Sequence, residues 1–348
     1  MLAASTLAQA ASAIATNGMA FLLPALHGRD HLSLATAGVV VATPTVGVML
    51  TLVAWGWMAD HRGERVTLLT GLSLATVFSV LAALLGNLVV FSLLIGLAGG
   101  AAAAVNSASG RVVVGWFPPE RRGLAMGIRQ MAQPVGVGIA AISVAVVADH
   151  HGVHAALWVP AIGCGLAALL VAALVVDPPR PARKTGTAPN PYRGDRYLAR
   201  IHGVSVLLVV PQFVVWTFAL VWLEQGRHWE AAAAGALVAV AQVFGALGRI
   251  AAGRGWWAAV PLVVIATVLT VADNGLAFTA VAERAGAFWS GRALGLQNTA
   301  QFLASSFVPP LGGLAVTHLG YSWTFALAAA FPAVAIGLVP VRGERAVS

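Results

Sequence analysis

The sequence predicts an all-α, polytopic membrane protein with about eleven transmembrane helices, and three observations lead there. The 348 residues are 59% hydrophobic, with mean hydropathy +0.85, and only 9% are charged. A water-soluble domain is about 45–50% apolar and about 25% charged. The apolar residues fall in long runs separated by short charged turns, and about 20 apolar residues cross a bilayer as a helix. Helices are expected because they satisfy their own backbone hydrogen bonds where lipid offers none.

The runs cover roughly 4–26, 34–58, 66–86, 88–114, 123–148, 154–176, 198–223, 231–252, 256–282, 290–317 and 321–341. No basic residue precedes the first run and no clear small-residue cleavage site follows it, so it reads as an anchor and not a removed signal. The longest polar stretch is 177–197, DPPRPARKTGTAPNPYRGDRY. Rich in Pro, Arg and Gly, it reads as a flexible linker. The chain then divides into a six-helix bundle at 1–176, a cytoplasmic linker at 177–197 and a bundle of about five helices at 198–348.

The arginines give the orientation. With the amino terminus in the cytoplasm, the inner loops hold Arg62 and Arg65, then Arg121 and Arg122, then the linker cluster with Arg180, Arg183, Lys184, Arg193, Arg196 and Arg200. The loops after runs 1, 3, 5 and 7 hold only Arg29 and Arg227. This is the positive-inside pattern. The formal charge of +8 does not point to nucleic acid, because the basic residues lie between apolar runs and not along one polar face. The single cysteine, Cys164, cannot form an intrachain disulfide.

Charge concentrates in residues 56–65, GWMADHRGER, between runs 2 and 3. Its Gly56-x-x-x-Asp60-x-Arg62-Gly63-x-Arg65 spacing resembles the signature loop of the major facilitator superfamily. GWFPPERRGLAMG at 115–127 is similar to that family's loop between helices 4 and 5. The resemblance implies two parallel six-helix halves, secondary transport by alternating access, and a loop at Gly56, Asp60, Arg62, Gly63 and Arg65 that latches against the other half. It implies a cell-membrane protein, in a bacterium the inner membrane. The family often places a buried arginine in helix 4 where Ser92 stands here.

An internal repeat supports two halves. GLAMGIRQMAQ at 123–133 and GRALGLQNTAQ at 291–301 share five of eleven positions, Gly127 matching Gly295 at an offset of 168. The second half should also repeat the 56–65 motif, and Gly253 in GRIAAGR pairs with Gly56 at an offset of 197. The offsets differ by 29 residues, about one membrane helix plus a turn, so the ninth helix is expected to be absent or nearly so. A single crossing by run 9 would then put Glu283–Arg292 outside, against the preference of Arg284 and Arg292 for the inside.

Polar groups in apolar helices mark candidate solute sites. Arg129 and Gln133 are four apart and share a helix face. Arg129 is seven residues past Arg122, roughly 10 Å deep. The repeat maps the pair onto Gln297 and Gln301. These four, with Asn106, Asn17 and Gln242, are the cavity candidates for a polar or anionic substrate, with Arg129 as the positive anchor; snorkelling of Arg129 to the interface is the competing reading. Gln212 and Trp216 are further candidates, more often helix–helix contacts than ligands. Arg111 is expected to snorkel. Asp273 lies deep in run 9, where an ionised carboxylate is costly, and is the candidate for proton coupling.

His150, His151 and His154 form a weak metal pattern, so no metal is expected, nor any cofactor. No phosphate-cradling loop or catalytic triad is present, so an enzyme is not expected. The partners expected are the bilayer and a small solute, proton-coupled if Asp273 titrates, with no obligate protein partner. A multidrug or lipophilic efflux carrier, and a non-transporting protein degenerated by loss of a helix, remain as alternatives.

Overall fold

A computed structural model describes residues 1–32, 34–179, 190–193, 196–221 and 273–340. Gln242 and the site of the expected missing helix lie outside the described residues. So do the side chains of Trp216 and Asp273. Every regular element among the described residues is helical.

In order these are α1 (Leu2–Thr16), a 3-10 turn (Asn17–Leu22), α2 (Leu23–Gly28), α3 (Leu34–Arg62), α4 (Glu64–Leu84), α5 (Leu88–Trp116), α6 (Pro119–His151), α7 (Val153–Ala156), α8 (Trp158–Leu174), α9 (Tyr197–Val221), α10 (Asp273–Ala285) and α11 (Ser290–Leu338). Seven described helices are long and apolar enough to cross a bilayer. Their outer faces confirm the solvent: Leu50, Ile142, Leu169 and Ile336 are each more than two-thirds exposed. Such a surface is stable only against lipid.

Runs 2 to 7 appear as α3 to α9 with ends shifted by a few residues. Run 1 is not one helix. It breaks at Asn17 into the 3-10 turn and resumes as α2. Runs 10 and 11 are continuous in α11 except at Gly320, whose φ of 79° no other residue type adopts cheaply.

α5 is the central rod. From Ala98 to Val113 nearly every side chain is buried, and most are Ala, Gly or Ser. Small residues let neighbouring backbones approach, and the approach exposes carbonyls to polar side chains. Thr51 Oγ1 and Trp55 Nε1 on α3 both donate to the Gly100 carbonyl at 2.7 Å, and Ser107 Oγ donates to the Leu52 carbonyl at 2.9 Å.

α3 also carries the contact with the segment beyond the linker. It packs along α11 so closely that a Cβ on Gly56 would lie 2.6 Å from the carbonyl carbon of Gly291. A mixed apolar cluster joins Val113, Ala125 and Met126 to Leu198, Phe278, Val281 and Leu294 across the same divide.

The basic end of the bundle gathers Asp60, Arg111, Arg122, Glu283 and Arg292. Glu283–Arg292 therefore lies on the same side as Arg62 and Arg122, which corrects the outside placement that a single crossing implied. Arg200 Nε donates to the Leu338 carbonyl at 2.9 Å, so α11 ends at this side too. The arginines had the stronger claim: charge at a helix end is cheap only where water or a partner can meet it.

Gly56→Ala should force α3 and α11 apart, because rigid backbone lies on both sides of the new methyl. Expected is a loss of about 1–3 kcal/mol, read as a lower unfolding temperature in detergent. Gly138→Ala, where a Cβ meets nothing within 4 Å, should leave that temperature unchanged.

Candidate functional site

Two polar constructions stand out. The first is the ionic cluster at the basic end. Asp60 is 5% exposed and is the last acid of α3. Its Oδ1 accepts from Arg111 Nη1 at 3.1 Å and from the Gly291 backbone N–H at 2.8 Å. Its Oδ2 accepts from the Arg292 backbone N–H at 3.1 Å and from Arg292 Nε at 2.8 Å. The carboxylate thus sits on the amino terminus of α11, where unpaired N–H groups and the helix dipole favour an anion.

Arg111 is 4% exposed and also pairs with Glu64 through Nε at 2.5 Å. It does not snorkel, because two carboxylates already meet it inside the protein. Arg292 stacks on the Trp289 ring, 3.6 Å from its centre. Further out, Arg122 Nη1 and Glu283 Oε1 form a half-exposed bridge at 2.8 Å. Arg65 does not join the cluster. Its backbone N–H donates to Asp177 Oδ1 at 2.7 Å, tying α4 to the start of the linker.

The second construction is a cavity of about 410 Å³ deeper in the bundle. From the 3-10 turn, α5 and α6 it receives Asn17, Asn106, Arg129, Gln130 and Gln133. From α9, α10 and α11 it receives Gln212, Asn298, Gln301 and Ser305, with Phe213, Phe278 and Phe302. Six residues named from the sequence meet here: the cavity candidates Asn17, Asn106, Arg129, Gln133 and Gln301, and the further candidate Gln212. Arg129 and Gln133 share a face, as their spacing requires.

Gln297 lies behind the wall. It is fully buried, accepts from His202 Nδ1 at 3.1 Å and donates to Ser205 Oγ at 3.1 Å. His202 Nε2 in turn meets the Tyr192 hydroxyl of the linker at 2.9 Å. Burial pushes the Tyr192 phenol up to about 12. The helical repeat places Gln297 one turn before Gln301, but the pseudo-symmetry does not carry it into the cavity.

Arg129 is 1% exposed and held by neutral groups. Nη1 donates to Gln9 Oε1 and to Ser109 Oγ, each at 2.9 Å, and Nε lies 3.3 Å from Met126 Sδ. The Phe278 ring lies 6.0 Å away. No carboxylate pairs with it among the described residues. Gln9 and Ser109 were not foreseen; each stands among small polar neighbours, Ser5, Thr6 and Ser12 in run 1 and Asn106 and Ser107 in run 4, that gave it no distinction. Glu64 was likewise passed over within a motif read for its Asp and Arg. The lining phenylalanines left no signal, because an aromatic in a membrane helix faces lipid as readily as a cavity.

Among the external histidines, His154 Nδ1 meets the Ala82 carbonyl at 2.9 Å and its ring stands edge-on to Phe91. His150 and His151 lie beside one another on the last turn of α6.

A bundle of membrane-spanning helices around a central polar cavity, closed at one end by ion pairs, is the build of a multi-pass carrier. The comparisons give the family. Residues 5–290 match the model of the Major Facilitator Superfamily. The chain is 42% identical to an uncharacterized MFS-type transporter of Mycobacterium tuberculosis (strain ATCC 25618 / H37Rv), over 96% of this chain and 82% of the relative. The fold is also that of the proton:xylose symporter XylE, with TM-score 0.72 at 15% identity, covering 97% of this chain and 95% of that one. The human organic anion transporter MFSD10 matches with TM-score 0.75 at 16% identity, covering 97% and 98%. This chain belongs to the major facilitator superfamily.

The alignment with the mycobacterial relative runs over 370 positions, while 96% of 348 residues is about 334. About 36 positions of the relative therefore face no residue here. That is close to the 29 residues by which the two repeat offsets disagree, and to one helix with its turn.

Asp60→Ala should leave the buried Arg111 half-neutralised and the amino terminus of α11 uncapped. Expected is a loss on the order of 3 kcal/mol, read by thermal unfolding. Arg122→Ala, at the half-exposed bridge, should cost no more than about 1 kcal/mol.

Proposed function

We propose that this chain is a secondary transporter that moves a small polar or anionic solute through the central cavity by alternating access. The observation that carries the reading is the joint construction of the cavity. Helices from both sides of the linker line it, and among the described residues the polar bonds between the same two sets of helices, from Asp60 to Gly291 and Arg292 and from Arg122 to Glu283, lie at the basic end. Opening that end requires breaking a compact set of charge-assisted bonds, which gives the two arrangements such a carrier needs. In this reading the Gly56–Arg65 loop is the cytoplasmic latch, with Asp60 its central group.

Arg129 favours an anion or a group rich in acceptors over an organic cation, because like charge inside a low-dielectric cavity is repelled. The amides of Gln133, Gln212 and Gln301 suit a polar body. The two structural neighbours are a proton:xylose symporter and an organic anion transporter, and both kinds of cargo fit such a lining. Proton coupling would fall to Asp273. α10 runs 13 residues from Asp273 to Ala285 at the basic end, so Asp273 lies about 18 Å up the helix, near mid-membrane.

Purified protein in liposomes should accumulate the solute, and Arg129→Ala should abolish uptake. Asp60→Ala should impair flux while solute binding persists. Asp273→Asn should remove accumulation driven by a pH gradient and spare exchange between equal pools. A well-folded protein that moves none of a broad panel of sugars and organic acids would sink the transport reading. Efflux of lipophilic dyes untouched by Arg129→Ala would favour a drug exporter.

A further inference from the structure

We propose that the cavity binds a small organic monocarboxylate, and that Gln9, which does not line it, fixes the polarity that selects one. The transport reading supplies only the route; the argument for the ligand is local.

It follows from a chain of hydrogen bonds with one consistent direction. A guanidinium can only donate. Both N–H groups of Arg129 Nη1 are spent, on Gln9 Oε1 and Ser109 Oγ at 2.9 Å each. The Gln9 oxygen is therefore the acceptor, and its nitrogen must donate. Its partner is Asn106 Oδ1, at 2.7 Å. The Asn106 oxygen is thus occupied, and the amide nitrogen is the end left for the cavity, which Asn106 lines. Turning either amide over would set donor against donor or acceptor against acceptor, so their partners fix both orientations. Ser109 has no proton to spare for the cavity either, since its hydroxyl donates to the Val105 carbonyl at 2.5 Å.

Two groups remain. Arg129 lines the cavity, and its Nη2 has no hydrogen-bond partner among the described residues. Asn106 Nδ2 is the second. These two groups offer N–H donors and one buried positive charge, balanced by no described carboxylate. A planar carboxylate matches the guanidinium edge in shape and in charge. One guanidinium balances one negative charge, which favours a monocarboxylate over a phosphate ester. Phe213 and Phe302 at the same cavity provide apolar surface for the body of the molecule.

The test is equilibrium binding to the purified full chain in nanodiscs, with two probe pairs: gluconate against gluconamide, and benzoate against benzamide. Each pair differs in charge and hardly in shape. At least one carboxylate should bind tenfold or more tighter than its amide. Gln9→Glu keeps the acceptor for Arg129 but adds a negative charge beside it. Asn106→Asp keeps the oxygen for Gln9 but turns the free donor into an acceptor. Each should weaken carboxylate binding at least tenfold, with the unfolding temperature confirming an intact fold; if one variant fails to fold, the other decides. Carboxylates binding no tighter than their amides, no carboxylate binding at all, or wild-type affinity in the folded variants would overturn the proposal. Carboxylate binding without flux into liposomes would leave this site standing and fail the transport reading. Flux of a neutral sugar indifferent to both variants would do the reverse.

Discussion

The structure depends on one carboxylate seated on another helix's amino terminus. Asp60 ends α3 and caps α11 through the Gly291 and Arg292 N–H groups. Everything around it serves that contact. Gly56 and Gly291 have no side chains, so the helices come close enough for it. Arg111 and Arg292 offset the charge, and Glu64 balances Arg111 in turn. Burying this much charge would be prohibitive if any member were missing. Because the members belong to stretches of chain more than 200 residues apart, the cluster forms only when the two sets of helices are in register.

The two polar constructions handle buried charge in opposite ways. At the basic end, acids and arginines cancel and the geometry is closed. In the cavity, Arg129 meets neutral dipoles and no carboxylate among the described residues. Dipoles hold a guanidinium in place without neutralising it, so the cation stays attractive to whatever enters. The same residue type thus sits among carboxylates in one place and among a neutral amide and a hydroxyl in the other.

Much of this was legible in the sequence. Run lengths gave the helices, and the spacing of Gly56, Asp60, Arg62, Gly63 and Arg65 gave the family. The depth and spacing of Arg129 and Gln133 gave two cavity residues. The offset between repeats flagged a shortfall that the length of the mycobacterial alignment matches. What failed did so for identifiable reasons. Arg111 was expected at the interface because its partners, Asp60 and Glu64, lie some fifty residues away and only packing brings them to it. Gln297 was assigned to the cavity by symmetry, yet one helical turn of difference from Gln301 put it against His202. Gln9 was silent because a single amide in an Ala-rich helix carries no period. Gln242 falls outside the described residues, and for Asp273 only the backbone is described.

The closed end is built in two tiers that respond differently to their surroundings. Asp60, Glu64 and Arg111 are almost fully withdrawn from water, Arg292 is 24% exposed, and both partners of the Arg122–Glu283 bridge face water, at 24% and 40%. Dissolved ions screen charges that face water and leave buried pairs nearly untouched. Brine would therefore relax the rim while the bolt beneath it held, and the readiness of this face to part would carry a trace of the salinity of the compartment it meets.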